Sequence, residues 1–357
     1  MRRVALLGAT GSIGRQAIDV VAAHPDLELC ALQSRSTPLD GAAATHGVEH
    51  VQVGGDPVVL LERSRPDVVL NAIVGFAGVE ATLWALEAGV TLALANKESL
   101  VAAGELALAA QARGGGLLLP VDSEHSALHQ CLEGRPRDTV TGLVLTASGG
   151  PFRGFSRDAL ADVSAAEALR HPTWSMGPKI TIDSATLANK GLELIEAHWL
   201  FGVPYDRIEI VVHPSSVVHG LVRLRDGALL AHAGLPDMRV PISYALTYPD
   251  RAATSVADLD LHDLTLSFGR PDEHAFPLLA LAREAGERGG TAPCAFNAAN
   301  EVAVAAFLEG RLGFLEIGDV VAETLAAVDG AAARDLDELV AADREARGLA
   351  ARRLQPA

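Results

Sequence analysis

Short, uninterrupted apolar segments alternate with amphipathic helical segments over residues 4–121 of this chain. A strand that is buried on both faces is apolar along its whole length, and helices placed between such strands make them parallel. The expected strands are 4–7, 27–33, 68–74, 90–95 and 117–121, and the expected helices are 12–23, 78–87 and 98–113. The pattern predicts an α/β fold with an N-terminal Rossmann-like, doubly wound domain, an architecture that binds nucleotides beyond the carboxyl ends of its strands.

The remainder of the chain has a different pattern. Strands are expected at 142–146, 208–212, 217–224 and 228–233, with a hairpin turn at Arg225-Asp226-Gly227. Residues 248–272 have weak periodicity, and helical patterns rich in Ala, Leu and Glu dominate after Phe276. We predict a nucleotide-binding domain over 1–122, a central α/β domain over 123–247, a linker over 248–273 and a C-terminal helical domain over 274–357.

The charge balance argues against whole classes of partner. The chain carries 29 Lys and Arg against 45 Asp and Glu, a net charge of −16, whereas nucleic acids and anionic membranes are bound by basic surfaces. Cys30, Cys131 and Cys294 are odd in number and have no paired spacing, which favours reduced thiols in the cytoplasm. No segment has the ~20 consecutive apolar residues of a membrane span. We expect a soluble cytoplasmic protein that binds neither nucleic acid nor membranes.

A glycine-rich turn, Gly8-Ala9-Thr10-Gly11-Ser12-Ile13-Gly14, follows the first expected strand. Such a turn lets the backbone approach a pyrophosphate and directs helix N-terminal amides to it, and the alternative is a purely structural turn. After the second strand, Gln33-Ser34-Arg35-Ser36-Thr37 lacks the carboxylate that bonds the ribose of NAD. Arg35 beside Ser36 suits a 2′-phosphate, so we favour NADP over NAD; the alternative is an ordinary exposed arginine.

Three polar residues, Asn96, Lys97 and Glu98, follow the expected strand at 90–95. Ligands of an open α/β sheet bind at such a strand end, so Asn96 could face the cofactor and Lys97 the substrate. The alternative is a simple helix cap with Glu98 in the first turn.

The segment 121–127, VDSEHSA, places two acids directly after the apolar strand at 117–121. In an extended conformation Asp122 and Glu124 point to one face, where they could bind one divalent cation while Ser123 turns toward a substrate. A third acid would complete the set, and Glu193 is the best candidate. The alternatives are a solvated strand end or a helix N-terminus, where acids are favoured by the dipole. His125 is a possible nitrogen ligand, but we favour a structural role or one supporting the metal ligands.

The segment 182–193, IDSATLANKGLE, is expected to begin a helix capped by Asp183 or Ser184. Asn189, Lys190 and Glu193 then lie on neighbouring sectors of one helix surface. Such a helix start can hold a phosphate, and the alternative is a capped helix with a Lys190–Glu193 pair.

A polar loop, RHPTWSMGPK, precedes this segment and contains Trp174 and Met176. Apolar side chains in a loop bounded by Gly and Pro suggest a lid that covers a ligand. The alternative is a small apolar cluster packed under the loop.

Seven segments are together similar to one enzyme family. They are GATGSIG, LANKESLV, PVDSEHSA, TASGGPF, RHPTWSMGPKITIDSATLANKGLELIEAHWLF, HPSSVVHG and FNAANEVAVAAFL, and they extend from Gly8 to Leu308. The chain resembles 1-deoxy-D-xylulose 5-phosphate reductoisomerases. The resemblance implies reduction and isomerisation of that phosphorylated sugar to 2-C-methyl-D-erythritol 4-phosphate, with NADPH and Mn²⁺, Mg²⁺ or Co²⁺, in non-mevalonate isoprenoid precursor biosynthesis. It also implies a homodimer and a flexible flap near 171–179 in a catalytic central domain.

The resemblance implies roles for single residues, carried over position by position. The cofactor residues are Thr10, Gly11, Ser12 and Ile13, with Asn96, Glu98 and Gly177. The metal ligands are Asp122, Glu124 and Glu193. The substrate phosphate is held by Ser148, Ser184, Asn189 and Lys190, and the rest of the substrate by Lys97, Ser123 and His171. Trp174 and Met176 belong to the flap.

The chain departs from the family pattern in two places. Arg35-Ser36-Thr37 stand where a Gly-Lys-Asn-like or Gly-Arg-Asn-like run is usual, and the stretch 37–67 is shorter than in many relatives.

Two other functions are kept as alternatives: an NADP-dependent dehydrogenase that needs no metal, and a non-catalytic NADP-sensing protein in which residues 122, 124 and 193 are surface acids.

Overall fold

The computed structural model describes residues 1–354, which form two compact units. The first contains residues 1–99, 105–129 and 237–258, and the second contains 100–104, 130–236 and the described chain from 259 onward. These units are distinguished by packing alone, so the division into four functional domains stays a prediction.

The first unit is built on a parallel six-stranded sheet in the order β3-β2-β1-β4-β5-β6. Its strands are β1 Arg2–Leu7, β2 Leu27–Ser34, β3 His50–Val53, β4 Val68–Asn71, β5 Thr91–Leu94 and β6 Leu118–Pro120. The chain runs outward from β1 to β3 and returns to β4 on the other side of β1, so the strand order reverses between β1 and β4. Such a switch point is where nucleotides bind. The predicted Rossmann-like sheet is confirmed.

Helices cover this sheet, and one of them comes from much later in the chain. They are α1 Ser12–Ala23, α2 Asp40–His46, α3 Pro57–Ser64, α4 Val79–Glu87, α5 Lys97–Gly114, α6 Ser123–Leu132 and α10 Arg239–Thr247. Ile242, Ala245 and Leu246 of α10 belong to the same buried apolar cluster as Val20 and Val21 of α1. Helix α10 therefore contributes to the apolar core of the first unit.

The first unit differs from the expected elements at one strand, and it contains three elements where no prediction was made. The stretch 37–67, for which no element was predicted, contains α2, β3 and α3. The strand predicted at 68–74 ends at Asn71, because the Asn71 amide turns inward and donates to the carbonyl oxygen of Gly78 at 2.8 Å and to Thr82 Oγ1 at 3.0 Å. These bonds close the loop that follows β4.

The second unit contains a mixed four-stranded sheet in the order β10-β9-β7-β8. Its strands are β7 Val140–Ala147, β8 Ile208–Val212, β9 Val218–Leu224 and β10 Leu229–Ala233. The predicted hairpin between β9 and β10 is confirmed: Asp226 Oδ1 accepts from the Ala228 amide, and Gly227 has a φ of 89°, which glycine adopts without strain. The helices are α7 Ala165–Ala168, α8 Pro178–Ala185, α9 Ala188–Phe201, α11 Leu278–Arg288, α12 Ala292–Leu308, α13 Glu316–Ala327 and α14 Leu336–Arg353.

The helix predicted to begin at Asp183 or Ser184 is instead two helices. Both residues lie in the last turn of α8, and α9 starts after Leu187, whose φ of 60° is left-handed. The Thr186 hydroxyl accepts from the Ala188 amide at 3.4 Å, so Thr186 provides the hydroxyl at the new helix start. The prediction that Asp183 or Ser184 caps a helix start is therefore wrong.

Two smaller expectations are met within residues 1–354. No helix of this part of the chain is long and apolar enough to cross a membrane. Cys30, Cys131 and Cys294 are free thiols, with Cys30 and Cys294 buried.

Candidate functional site

The glycine-rich turn joins β1 to α1 at the switch point of the first unit. Gly8 has a φ of 78°, and a Cβ there would lie 2.4 Å from the carbonyl oxygen of Ala72 in the loop after β4. A Cβ on Gly14 would lie 2.4 Å from the carbonyl oxygen of Gly8. Both positions therefore require glycine, and Gly11, the N-cap of α1, carries no side chain to cap the helix. The first amides of α1, which include those of Ser12 and Ile13, can thus meet an anion.

The turn is also held by Gln33, a residue that the sequence reasoning did not single out. The Gly8 amide donates to Gln33 Oε1 at 3.1 Å, and Gln33 is buried near the end of β2. An amide side chain directly after the apolar run Leu29–Leu32 was the available signal, because buried polar groups are normally hydrogen-bonded. Arg35 and Ser36 follow in an exposed turn, so their predicted contact with a 2′-phosphate stays a prediction.

Asn96 caps helix α5, as the alternative interpretation proposed. Its Oδ1 accepts from the Ser99 amide at 2.9 Å, and its Nδ2 donates to the carbonyl oxygen of Gly75 at 2.9 Å and to Glu98 Oε2 at 3.3 Å. The cap therefore ties the start of α5 to the loop after β4. Asn96, Lys97 and Glu98 are all buried at this strand end, where ligands of parallel sheets bind.

The VDSEHSA segment is helical and not extended. Helix α6 starts at Ser123, and Asp122 Oδ1 accepts from the amides of Glu124 at 3.1 Å and His125 at 3.3 Å. Asp122 therefore caps α6, while Glu124 lies in its first turn and contacts the Ser123 hydroxyl. The predicted alignment of Asp122 and Glu124 on one strand face is wrong, because the side-chain bonds of Asp122 fold the chain at once into a helix. His125 is fully buried, with its Nδ1 3.7 Å from Asp122 Oδ1, and its structural role stays a prediction.

Lys97 and Asp122 form a buried ion pair across two adjacent strand ends. Lys97 Nζ lies 2.9 Å from Asp122 Oδ2, and the two side chains are only 7% and 13% exposed. The other carboxylate oxygen, Oδ1, accepts from the first amides of α6, so the two oxygens of Asp122 have different partners. Removing one member of such a pair leaves a buried charge without its counter-ion, which is far more costly than at the surface.

The second unit brings together Ser148, His171 and Ser184, which lie far apart in sequence. His171 Nε2 is 3.1 Å from Ser148 Oγ and 3.1 Å from Ser184 Oγ. His171 Nδ1 accepts from the amides of Thr173 at 3.2 Å and Trp174 at 2.8 Å, so the ring proton is on Nε2 and is directed at the serines. Burial lowers the pKa of His171, which keeps the ring neutral near neutral pH. His171 thus joins the serine pair to the loop that carries Trp174.

Helix α9 carries the other predicted substrate residues. Asn189 Nδ2 donates to Glu193 Oε1 at 2.5 Å, and Lys190 Nζ donates to Glu193 Oε2. Lys190 and Glu193 are almost fully buried, at 3% and 1% exposed. The alternative Lys190–Glu193 pair is therefore present, but the buried position of the pair excludes the solvated helix surface that such a pair normally occupies.

The expected flap residues lie in the loop before α8. Trp174 and Met176 are half-buried, and the Trp174 ring centroid is 6.5 Å from that of His219 on β9. This contact is with a histidine, so both the lid and the alternative apolar cluster under the loop stay predictions. Gly177 ends the loop as the N-cap of α8.

Three family models match most of the chain. The model of 1-deoxy-D-xylulose 5-phosphate reductoisomerase matches residues 4–56 and 39–104, and the model of its C-terminal domain matches residues 118–201. A model described as the DXP reductoisomerase C-terminal domain matches residues 233–349.

Individual relatives are similar over almost their full length. A protein named 1-deoxy-D-xylulose 5-phosphate reductoisomerase from Leifsonia xyli subsp. xyli is 52% identical over 359 residues, which cover 99% of each chain. One of the same name from Nocardia farcinica is 50% identical over 372 residues, 98% of this chain and 94% of the relative.

Solved structures agree with this likeness. The reductoisomerase from Zymomonas mobilis in complex with NADPH has a TM-score of 0.91 and 42% identity, with 100% of each chain covered. A DOX-P reductoisomerase in complex with NADPH, fosmidomycin and magnesium has a TM-score of 0.91 and 38% identity, with 99% of this chain and 98% of that one covered. The similarity therefore includes both units of the structure.

Proposed function

Because the chain belongs to the 1-deoxy-D-xylulose 5-phosphate reductoisomerase family, it converts 1-deoxy-D-xylulose 5-phosphate to 2-C-methyl-D-erythritol 4-phosphate, and we propose here which side chains do so. The enzyme uses NADPH and a divalent metal ion and acts in isoprenoid precursor biosynthesis. The observation that carries the assignment is a likeness extending over the whole chain, joined to three clusters of buried and half-buried polar residues at the predicted positions.

The glycine turn is proposed to bind the NADPH pyrophosphate through Thr10, Gly11, Ser12 and Ile13. Two features support the fit: glycine is required sterically at positions 8 and 14, and the N-terminus of α1 lacks a side-chain cap. Asn96, Glu98 and Gly177 are proposed to assist in holding the cofactor, which supplies the hydride for the reduction.

Replacing Arg35 by alanine tests recognition of the 2′-phosphate. Because Arg35 is exposed, Arg35→Ala leaves the fold intact, and loss of a charge-assisted hydrogen bond should raise the KM for NADPH about tenfold. Steady-state kinetics with NADH are the control, because NADH lacks the 2′-phosphate and its KM should change little. Equal changes for both cofactors would assign Arg35 another role, and Ser36→Ala should show the same selectivity with a smaller effect.

The metal is proposed to be held by the carboxylates of Asp122, Glu124 and Glu193. Carboxylate oxygens suit Mg²⁺ and Mn²⁺. Hydrogen bonds fix the orientation of two of these carboxylates, since Asp122 accepts from helix amides and Glu193 accepts from Asn189. When bound, the metal polarises substrate oxygens as a Lewis acid. Lys97, held beside Asp122, adds positive charge at the same strand end.

The substrate phosphate is proposed to be bound by Ser148, Ser184, Asn189 and Lys190. Hydroxyl, amide and ammonium groups are donors, and a phosphate accepts from all of them. His171, with its Nε2 proton directed at the two serines, orients their hydroxyl groups, while Ser123 and Lys97 contact the remainder of the sugar.

The flap containing Trp174 and Met176 is proposed to close over the bound substrate. Binding energy from the phosphate, which takes no part in the bond changes, can be used to order this loop. His171 is the direct link, since one ring nitrogen faces the serines and the other accepts from the Trp174 amide. A closed loop excludes water from the reacting carbonyl and strengthens every charge interaction around it.

The assignment of function is tested by following NADPH oxidation with 1-deoxy-D-xylulose 5-phosphate. Turnover should vanish when the protein is treated with a chelator and return when Mn²⁺ or Mg²⁺ is added. Turnover that resists the chelator would favour the metal-free dehydrogenase. Cofactor binding without any turnover in the presence of metal would favour the NADP-sensing protein.

We also propose a cytoplasmic homodimer, with the NADPH-binding, catalytic, linker and helical roles assigned to 1–122, 123–247, 248–273 and 274–357. The free cysteines support the location, and the dimer is only what the resemblance to the family implies. Sedimentation equilibrium of the purified protein measures the oligomeric state, and a monomeric mass at assay concentration would contradict the dimer.

A further inference from the structure

Lysine is rare in this chain and occurs only at positions 97, 179 and 190. Each lysine forms an ion pair with a carboxylate: Lys97 with Asp122, Lys179 with Asp183, and Lys190 with Glu193. The first and third pairs belong to the proposed metal and phosphate groups. The second pair has no part in the function described so far, although its helix, α8, also carries Ser184.

Asp183 fixes the C-terminal turn of α8 against helix α12. Asp183 is 1% exposed, its Oδ2 lies 2.8 Å from Lys179 Nζ one turn earlier, and its Oδ1 accepts from Asn300 Nδ2 at 2.8 Å. Asn300 is itself fully buried on α12, in the FNAANEVAVAAFL segment. A buried carboxylate is tolerated only where donors of this kind meet it, so the pair defines how α8 lies along α12.

The same turn of α8 is confined from another direction. Gly150 has a φ of 66°, and a Cβ there would lie 2.8 Å from the Ser184 carbonyl oxygen. The loop that carries Ser148 therefore lies directly against the end of α8. The end of α8 is therefore held between this loop and α12, which bonds Asp183. Because Ser184 lies in this turn, a shift of α8 would move its hydroxyl group relative to Ser148 and His171.

We propose that Asn300, through its hydrogen bond to Asp183, which Lys179 also holds, positions Ser184 for the substrate phosphate. The inference rests on the proposed phosphate contact of Ser184. Asn300 is bonded to the residue next to that serine and is a positioning residue, not a catalytic one. Its loss should weaken binding of the phosphorylated substrate and affect the cofactor less, because the other proposed cofactor residues belong to the first unit and only Gly177 borders α8, at the end opposite Asp183.

The test compares two buried asparagines of one helix. Asn300→Leu keeps the side-chain size and removes the donor to Asp183, and a small misplacement of Ser184 should raise the KM for 1-deoxy-D-xylulose 5-phosphate about tenfold, with kcat and the KM for NADPH changed less than about twofold. Asn297→Leu is the matched control, because Asn297 is equally buried one turn earlier and donates to Glu301 of its own helix. It should lower the thermal midpoint comparably and leave both KM values unchanged.

The outcomes separate positioning from packing. Equal KM changes in the two variants, or no KM change in Asn300→Leu, would overturn the proposal. If Asn300→Leu does not fold, Lys179→Met is the second test, because it removes the other partner of the Asp183 carboxylate at a half-buried position. This variant should also raise the KM for the sugar phosphate. An unchanged KM in Lys179→Met rules the proposal out. Ser184→Ala tests separately whether Ser184 contacts the phosphate. An unchanged KM for the sugar phosphate in that variant contradicts the phosphate contact. A raised KM in Ser184→Ala together with an unchanged KM in Asn300→Leu overturns only the positioning role of Asn300.

Discussion

Glu193→Gln should lower kcat by about a thousandfold or more while NADPH binding stays normal. Glutamine has the same shape and still offers one oxygen to Asn189, so helix α9 should remain folded. What is lost is the negative charge, and a neutral amide oxygen is a much poorer ligand for a divalent cation. The ammonium group of Lys190 also loses its counter-charge in a buried place. Turnover at saturating Mn²⁺ and cofactor binding by fluorescence measure the two effects separately.

Glu196→Gln provides the matched control for this experiment. Glu196 is also 1% exposed on α9, three residues further along, but it is not among the residues proposed to bind metal or substrate. We expect it to retain most activity. Near-normal turnover in Glu193→Gln would remove the three-carboxylate proposal, and equal losses in both variants would mean that α9 responds to any lost buried charge.

The nucleotide-binding sheet was predictable because its central strands are apolar throughout. Strand β3 escaped notice because it lies at the sheet edge, where Val51 and Val53 are exposed, so its HVQV sequence lacks the apolar run of a buried strand. Helices α2 and α3 have only seven and eight residues, too short for a clear helical period. The contribution of α10 to the core of the first unit depends on packing between residues more than two hundred positions apart, such as Val21 and Ile242, and no local pattern contains it.

The candidate site was predictable where its contacts are local along one helix. Asn189, Lys190 and Glu193 meet because spacings of three and four residues place side chains on one face of α9. The conformation at Asp122 and Glu124 was not predictable, because an aspartate two residues before a glutamate suits a strand face and a helix cap equally well. The pairing of Lys97 with Asp122 depends on strand order, and the contact of His171 with both Ser148 and Ser184 depends on loop packing. Only the structure defines either.

Lys190→Met should reduce kcat/KM for 1-deoxy-D-xylulose 5-phosphate about a hundredfold, because a buried cation facing a phosphate is worth several kcal/mol. Methionine fills nearly the volume of the lysine stem, so the core around α9 should keep its packing although the ammonium is lost. The KM for NADPH should remain within about twofold, since the glycine turn contributes the cofactor contacts.

A comparison with 1-deoxy-D-xylulose, which lacks the phosphate, shows whether Lys190→Met acts on phosphate binding or on the metal site. If Lys190 binds the phosphate, the variant should process this weak substrate about as well as the unchanged enzyme does, because neither protein can use the missing group. Lys190 also contacts Glu193, so the loss could instead act through the metal; both substrates would then suffer equally and the Mn²⁺ concentration for half-maximal activity would shift. A selective loss with unchanged Mn²⁺ dependence assigns the ammonium to the phosphate, whereas a parallel loss assigns it to the carboxylate that it contacts.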